Sequence, residues 1–254
     1  MTNIRVEIVG GVGTITIHRR ERFNSLDVET ARDLRKAGLQ MARDAAIRAV
    51  VLRGAGGVFC SGADLKDIRA ASPSYGQAFK EILEYIHSTI SEIRRAPKPF
   101  IAAVDGIAAA GGFGLAMACD LVVASDRASF EWAYTKTGLT GAESSTFMLP
   151  RLVGLRCAFE LLFLNPRLTP QRALEIGLAS ELVPPEKVLE RAVTRARALS
   201  EKPAGAFRAI KRTLLDVTGH APDGGDRRHL SRFIDDWFSA ESVERRQALI
   251  ESLK

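Results

Sequence analysis

The chain has 254 residues, 46% of them apolar and 26% charged, which describes a globular fold with a sizeable core and excludes a mainly disordered or collagen-like chain. Its longest uncharged internal run, Gly106 to Cys119, is fourteen residues, short of the ~20 that cross a bilayer, so no membrane span is expected. The net charge of +6 does not point to nucleic acid, because residues 201–254 carry ten Lys/Arg against nine Asp/Glu and form no basic arm; a modest positive field suits an anionic small substrate.

At the N-terminus, Arg5 and Glu7 interrupt what would have to be a continuous apolar segment, so no cleavable signal is expected and the cytoplasm is the expected compartment. The alternation of Val6 and Ile8, then Ile15 and Ile17, around Gly10-Gly11 predicts a β-hairpin. Asp27 is placed to cap a helix that starts near Val28 and aligns Ala31, Leu34 and Ala37 on one face. A buried strand follows at Ala49–Leu52, then the small-residue loop RGAGGVFCSGADLK. Phe79, Ile82, Leu83, Ile86, Ile90 and Ile93 recur at helical spacing and predict a long helix over Tyr75–Arg95, ended by Pro97 and Pro99. Next come a strand (Phe100–Val104), a glycine-rich turn (Gly106–Gly112), an apolar helix (Phe113–Ala118) and a strand (Leu121–Ala124).

From about Thr146 the pattern becomes helix after helix with no further strands, Thr169-Pro170 supplying an N-cap followed by a proline at the first helical position. Pro203 and the PDGG tetrapeptide at Pro222–Gly225 are the expected hinge points. The expected organisation is an α/β core over residues 1–200 with a helical C-terminal extension over 201–254. Cys60, Cys119 and Cys157 are odd in number and widely spaced, and His18, His87, His220 and His229 form no metal-binding pair. Core thiols are therefore expected, and no metal site.

Two segments carry the chemistry. Phe59 to Lys66 (FCSGADLK) and Ile107 to Gly114 (IAAAGGFG) share one form, an apolar run, a turn of Gly, Ala and Ser, and then a helix. Neither matches the GxGxxG or GxxxxGK[ST] pattern of nucleotide-binding loops. Turns of small residues leave backbone N–H groups uncovered, and a helix beginning at Gly111 or Gly112 adds the positive end of its dipole, so an oxyanion can sit there. The other reading is that the glycines only permit tight strand-to-helix packing.

These segments resemble the crotonase superfamily, the enoyl-CoA hydratase/isomerase family, and the resemblance runs almost end to end. Arg19–Leu26 (RRERFNSL) resembles the family's RPxxxNAL segment, Phe59–Lys66 its F-x-x-G-A-D-[LI]-K loop, and Asp105–Asp120 its N-G-x-A-x-G-G-G-x-x-L-A-x-x-C-D stretch. LPRLVG (Leu149–Gly154), ALEIGLASELVP (Ala173–Pro184) and the tail FSAESVERRQALIESL are further landmarks. The resemblance implies a spiral of β-β-α units with a helical C-terminal trimerisation region, forming a homotrimer or hexamer. It also implies an acyl-CoA thioester substrate and no separate cofactor, coenzyme A being part of the substrate. The N–H groups of Ala63 and Gly111 would hold the thioester oxygen of an enolate-like intermediate. Arg22, Phe23, Leu65 and Lys66 would line the CoA channel, and Lys211 would lie near the nucleotide phosphates.

The chain departs from the family's hydratases where their two glutamates stand. Gly114 occupies the first position and Tyr134 the second, which removes the positioned acid and base of hydration. Glu143, in GLTGAESSTFMLPRLVG, is the remaining acid of that stretch, one residue after the position an isomerase-like member would use. A 1,3-proton shift needs a single base, and Glu143 is the candidate. Tyr134 would orient a water or fill the pocket wall beside Trp132. The expected activity is double-bond isomerisation or hydration of an acyl-CoA. The alternatives are a non-catalytic acyl-CoA-binding homologue, another thioester reaction such as hydrolysis or dehalogenation, and RNA binding, which the mixed-charge tail disfavours.

Overall fold

A computed structural model describes residues 3–70, 75–141, 145–217, 238 and 240–252. Strands β1 (Ile4–Val9) and β2 (Val12–Ile17) form the expected antiparallel hairpin, with Ile4 opposite Ile17 and Val9 opposite Val12. Gly10 and Gly11 make its turn, both at positive φ. The hairpin opens a six-stranded sheet that continues in parallel through β3 (Ala49–Gly54), β4 (Phe100–Val104), β6 (Leu121–Ser125) and β8 (Glu181–Val183). Two short strands, β5 (Ile107–Ala109) and β7 (Ser129–Glu131), pair in parallel as a separate small sheet.

The inner strands read as unbroken apolar runs because helices cover both faces. Along β3 and β4 the side chains sort by parity. Val50, Leu52, Phe100, Ala102 and Val104 face the main core. Ala49, Val51, Ile101 and Ala103 face a second cluster closed by Val188, Ala192 and Ala196 of helix α8 (Val188–Ser200). The main core is covered by α1 (Val28–Arg43) and α3 (Tyr75–Arg95), which pack against each other. In α1 the Asp27 carboxylate accepts from the Thr30 N–H at 2.7 Å, and Ala31, Leu34 and Ala37 are fully buried. In α3 the same apolar spacing buries Phe79, Ile82, Leu83, Ile86, Ile90 and Ile93.

Three expectations are corrected. Strands do not stop near Thr146: Glu181–Val183 pairs with Val123–Ser125 as the last strand of the large sheet. Three residues are too few to show a strand period, and only the edge that β6 offers makes them one. The Gly106–Gly112 turn contains β5, whose partner is the equally short β7. The helix after it, α4 (Gly111–Ala118), begins two residues earlier than its apolar residues indicate, because its first turn is glycine.

The remaining described helices are α2 (Leu65–Ala70), α5 (Ser145–Val153), α6 (Leu155–Leu164), α7 (Pro170–Glu175), α9 (Ala204–Val217) and α10 (Ala240–Ser252). Thr169 caps α7, its hydroxyl accepting from the Arg172 N–H at 3.2 Å. Pro203 immediately precedes α9, and Pro222–Gly225 lies outside the described residues. No described helix is long and apolar enough to cross a membrane, and the described residues hold no cluster of potential metal ligands.

Candidate active site

Both glycine-rich segments leave carboxyl ends of parallel strands, the place where open α/β sheets bind ligands. The loop after β3 is fixed by two bridges. Cys60 pairs with Ala108, the Cys60 N–H donating to Ile107 O at 3.0 Å and the Ala109 N–H to Cys60 O at 2.9 Å. Leu26 pairs with Ala63: its N–H donates to Gly62 O at 2.8 Å, and its carbonyl accepts from the Asp64 N–H at 2.9 Å. Because both residues flanking Ala63 bond to Leu26, Ala63 turns its own N–H to the opposite side. Gly111 is the first residue of α4, where a helix N–H has no partner within the helix. Neither N–H has an acceptor among the described residues.

The two donors are neighbours in space. A β-carbon on Gly62 would lie 3.2 Å from Gly111 N, 3.2 Å from Ala109 O and 2.9 Å from the Ala110 Cβ. Gly62 sits at φ +95, a conformation that L side chains rarely adopt. A β-carbon on Gly112 would lie 2.1 Å from the Cys60 carbonyl oxygen. Close packing and uncovered N–H groups, the two readings of these turns, are thus one arrangement: only glycine lets the loops approach closely enough to bring both donors to one place.

A network of charged groups holds the Ala63 loop from below. Arg19 is 7% exposed and donates to Asp64 Oδ2 at 2.6 Å, to Ser25 Oγ at 3.1 Å and to Asp67 Oδ2 at 2.5 Å. Its Nη2 also lies 3.0 Å from Asp27 Oδ2. Arg22 donates to Asp64 Oδ2 at 3.1 Å and to Asp67 Oδ1 at 2.6 Å. Asp64 Oδ1 in turn accepts from the N–H groups of Lys66 and Asp67 at the start of α2. Burial pushes the Asp64 carboxyl up, but the Asp67 N–H, Arg19 and Ser25 outweigh it and hold it below the usual carboxylate range. The guanidiniums thereby take up the charge of an acid next to the Ala63 N–H, where an uncompensated carboxylate would oppose an oxyanion.

Asn24 ties the Arg19–Ser25 segment to the loop after β3. Fully buried and at φ 52, it accepts from the Arg19 N–H at 2.9 Å and donates to Ala55 O at 2.9 Å and Val58 O at 2.6 Å. Arg19, Asn24, Ser25 and Asp64 are supports that the chain order conceals, being up to 45 residues apart. Their signal in the chain is the RRERFNSL and GAD segments themselves, the stretches that also carry the family resemblance.

Four of the expected CoA-channel residues gather at this loop. Arg22 reaches it through Asp64, and the carbonyl of Phe23 accepts from the Ser61 N–H at 3.2 Å while its ring is 60% exposed. Leu65 and Lys66 open α2, with Lys66 exposed. Lys211, expected near the nucleotide phosphates, is bonded within the protein. Its ammonium donates to Ile93 O at 2.9 Å, Lys98 O at 3.3 Å and Asp120 Oδ2 at 2.8 Å, which uses all three hydrogens to tie α9 to the core. Tyr134 is buried and packs edge-on against Trp132, ring centroids 5.1 Å apart. The neighbouring Glu131 carbonyl accepts from the Ala110 N–H at 3.0 Å, which joins this wall to the start of α4. Gly114 is buried within α4. Glu143 lies outside the described residues.

The sequence model of the Enoyl-CoA hydratase/isomerase family matches residues 7–244. The chain is 35% identical over 215 residues to 4-chlorobenzoyl coenzyme A dehalogenase-2 of an Arthrobacter species, covering 84% of this chain and 78% of that one. It is 34% identical over 208 residues to 1,2-epoxyphenylacetyl-CoA isomerase of Escherichia coli, covering 80% and 78%. The crystal structure of an enoyl-CoA hydratase from Mycobacterium avium subsp. paratuberculosis superposes with a TM-score of 0.87 at 29% identity, covering 97% of this chain and 98% of that one.

Proposed function

Since the chain belongs to the enoyl-CoA hydratase/isomerase family of the crotonase superfamily, we propose that it moves the double bond of an enoyl-CoA thioester, the N–H groups of Ala63 and Gly111 holding the thioester oxygen. The observation that carries this reading is the pair of uncommitted N–H donors on loops in contact through Gly62. As a base removes the proton at C2 of a 3-enoyl thioester, the electron pair moves into the carbonyl and the oxygen becomes negative. Two preorganised donors stabilise that charge, each contributing about a hundred- to a thousandfold in rate. A proton returned at C4 from the same base, after exchange with solvent, completes the shift with no other reactant.

Glu143 is the base in this proposal, since Gly114 and Tyr134 stand where the family's hydratases carry glutamate and neither can take up a proton as a carboxylate does. Arg22, Phe23, Leu65 and Lys66 border the coenzyme A portion, their grouping around the Ala63 loop supporting that role. Coenzyme A enters as part of the substrate and no further cofactor is proposed. The protein works in the cytoplasm as a homotrimer or hexamer. That assembly is supported by the apolar residues left uncovered on α6, where Leu155, Phe159 and Phe163 follow one another at helical spacing and the two phenylalanine rings stack at 5.2 Å. Residues 201–254 are proposed as the extension that contributes to it.

The test is incubation with 2-enoyl- and 3-enoyl-CoA panels in heavy water, followed by mass analysis. Deuterium uptake and double-bond migration without added water is the expected result, and Glu143→Gln lowers that rate about a hundred- to ten-thousandfold. Addition of water across the double bond supports the second reading, hydration. Full activity in Glu143→Gln refutes the assignment of the base.

A further inference from the structure

Three ties bind the segment between α6 and α7 to the wall that holds Tyr134. Phe130 and Leu168 form an antiparallel bridge, the Phe130 N–H donating to Leu168 O at 3.3 Å and the Leu168 N–H to Phe130 O at 2.8 Å. Arg167 Nε lies 3.4 Å from Glu131 Oε2. The third tie is the bond from the Ala133 N–H to Asn165 Oδ1, at 2.6 Å. It joins two residues with left-handed backbones, Ala133 at φ 66 and Asn165 at φ 51. Asparagine tolerates that conformation, and Asn165 uses it to end α6. Alanine does not favour it, and such a conformation persists only where the surroundings hold it. Asn165 is 6% exposed and its Nδ2 has no partner among the described residues, so the amide is buried for the sake of its oxygen alone.

We propose that Asn165 is a positioning residue for Tyr134: its amide oxygen pins Ala133 in the left-handed conformation, and that turn sets the direction in which the Tyr134 ring enters the wall of the acyl site. The proposal rests on the acyl-CoA reading above and deepens it. Tyr134 follows the turn directly and opens the short 3-10 helix Thr135–Thr137, its carbonyl accepting from the N–H groups of Thr137 at 3.0 Å and Leu139 at 3.1 Å. Two residues before the turn, the Glu131 carbonyl takes the Ala110 N–H beside the Gly111 donor. The wall is thus anchored to the oxyanion loop at one end and to Asn165 at the other. Released from Asn165, Ala133 relaxes toward the negative φ that alanine prefers, which rotates the chain after it and takes the Tyr134 ring off Trp132.

The experiment compares Asn165→Gly, which keeps the left-handed end of α6 but has no acceptor, with Asn165→Asp, which keeps an acceptor oxygen, and with Tyr134→Ala alone and combined with Asn165→Gly. Calorimetric titration gives the Kd of CoA and of S-hexyl-CoA, a thioether with no carbonyl oxygen, so the ratio of the two reads the acyl wall and not the oxyanion donors. The parent is expected to hold S-hexyl-CoA about tenfold or more tighter than CoA. Asn165→Gly loses about fivefold of that ratio while the Kd of CoA itself stays within about twofold, and Asn165→Asp keeps the parent ratio. Tyr134→Ala lowers the ratio, and adding Asn165→Gly changes it by less than about twofold, because both changes act on one side chain. A parent ratio in Asn165→Gly, equal loss in Asn165→Asp, effects that multiply with Tyr134→Ala, or a matching loss of CoA affinity overturns the positioning role and leaves the acyl-CoA reading standing. A parent protein that holds S-hexyl-CoA no tighter than CoA overturns both.

Discussion

A β-carbon placed on Gly112 meets the carbonyl oxygen of Cys60 at 2.1 Å and its carbonyl carbon at 2.8 Å, and both are backbone atoms that the Ile107 and Ala109 hydrogen bonds hold in place. The clash cannot be relieved by a rotamer. Gly112→Ala is therefore expected to push α4 away from the Cys60 loop, at a cost of about 3 kcal/mol in urea unfolding. It should also abolish the red shift that a bound 2,4-dienoyl-CoA thioester shows as charge is drawn onto its carbonyl oxygen, because Gly111 moves with the helix. Gly114 poses the opposite case: it stands where a catalytic carboxylate would have been the obvious sign of function, and its meaning lies in the chemistry it withholds. Residue identity was enough to recognise both positions. The distance that makes Gly112 indispensable was not readable, since it is set by a loop 52 residues earlier in the chain.

At the level of elements, the short helix α2 is held at its start by one side chain. Six residues are too few to be helical alone, and Asp64 supplies what the helix lacks by accepting from the Lys66 and Asp67 N–H groups while bonded to Arg19 and Arg22. The folded protein holds this carboxyl below its ordinary value. Its contribution is thus complete above the unfolded-state pKa of about 3.9 and is lost as pH falls through the lower folded value. Urea midpoints measured from pH 6 down to pH 3 should decline below about pH 4. In Asp64→Asn that part of the acid dependence should be missing, and stability at pH 7 should already be lower by about 3 kcal/mol because Arg19 stays buried with fewer partners. A variant whose acid profile overlays the parent's would refute the assignment.

For the whole molecule, the distribution of apolar surface is the feature a single chain does not account for. Phe163 is 71% exposed and Leu164 75%, with Leu155, Phe159 and Leu152 also uncovered, an apolar run of a kind that usually marks a contact with another protein. Phe163→Glu is expected to leave the thermal midpoint of the isolated subunit nearly unchanged and to shift the mass measured by light scattering from that of the proposed trimer or hexamer toward a monomer. An unaltered oligomer mass would place the interface elsewhere.

The sequence by itself determined the hairpin, α1, α3 and β4, because each carries a period or an unbroken apolar run that can be read locally and a Gly, Pro or Asp at its boundary. It also determined the family, through motifs whose order and spacing survive without any contact map. Tertiary structure decided β5, β7 and β8, three-residue strands that exist only because a neighbouring edge offers hydrogen bonds. It decided that Lys211 ties α9 to Asp120, since a long cation takes whichever acceptors folding brings within reach. It decided, finally, that Ala63 and Gly111 are neighbours: each N–H is left uncommitted by its own loop, but only the packing of one loop on the other brings the two together.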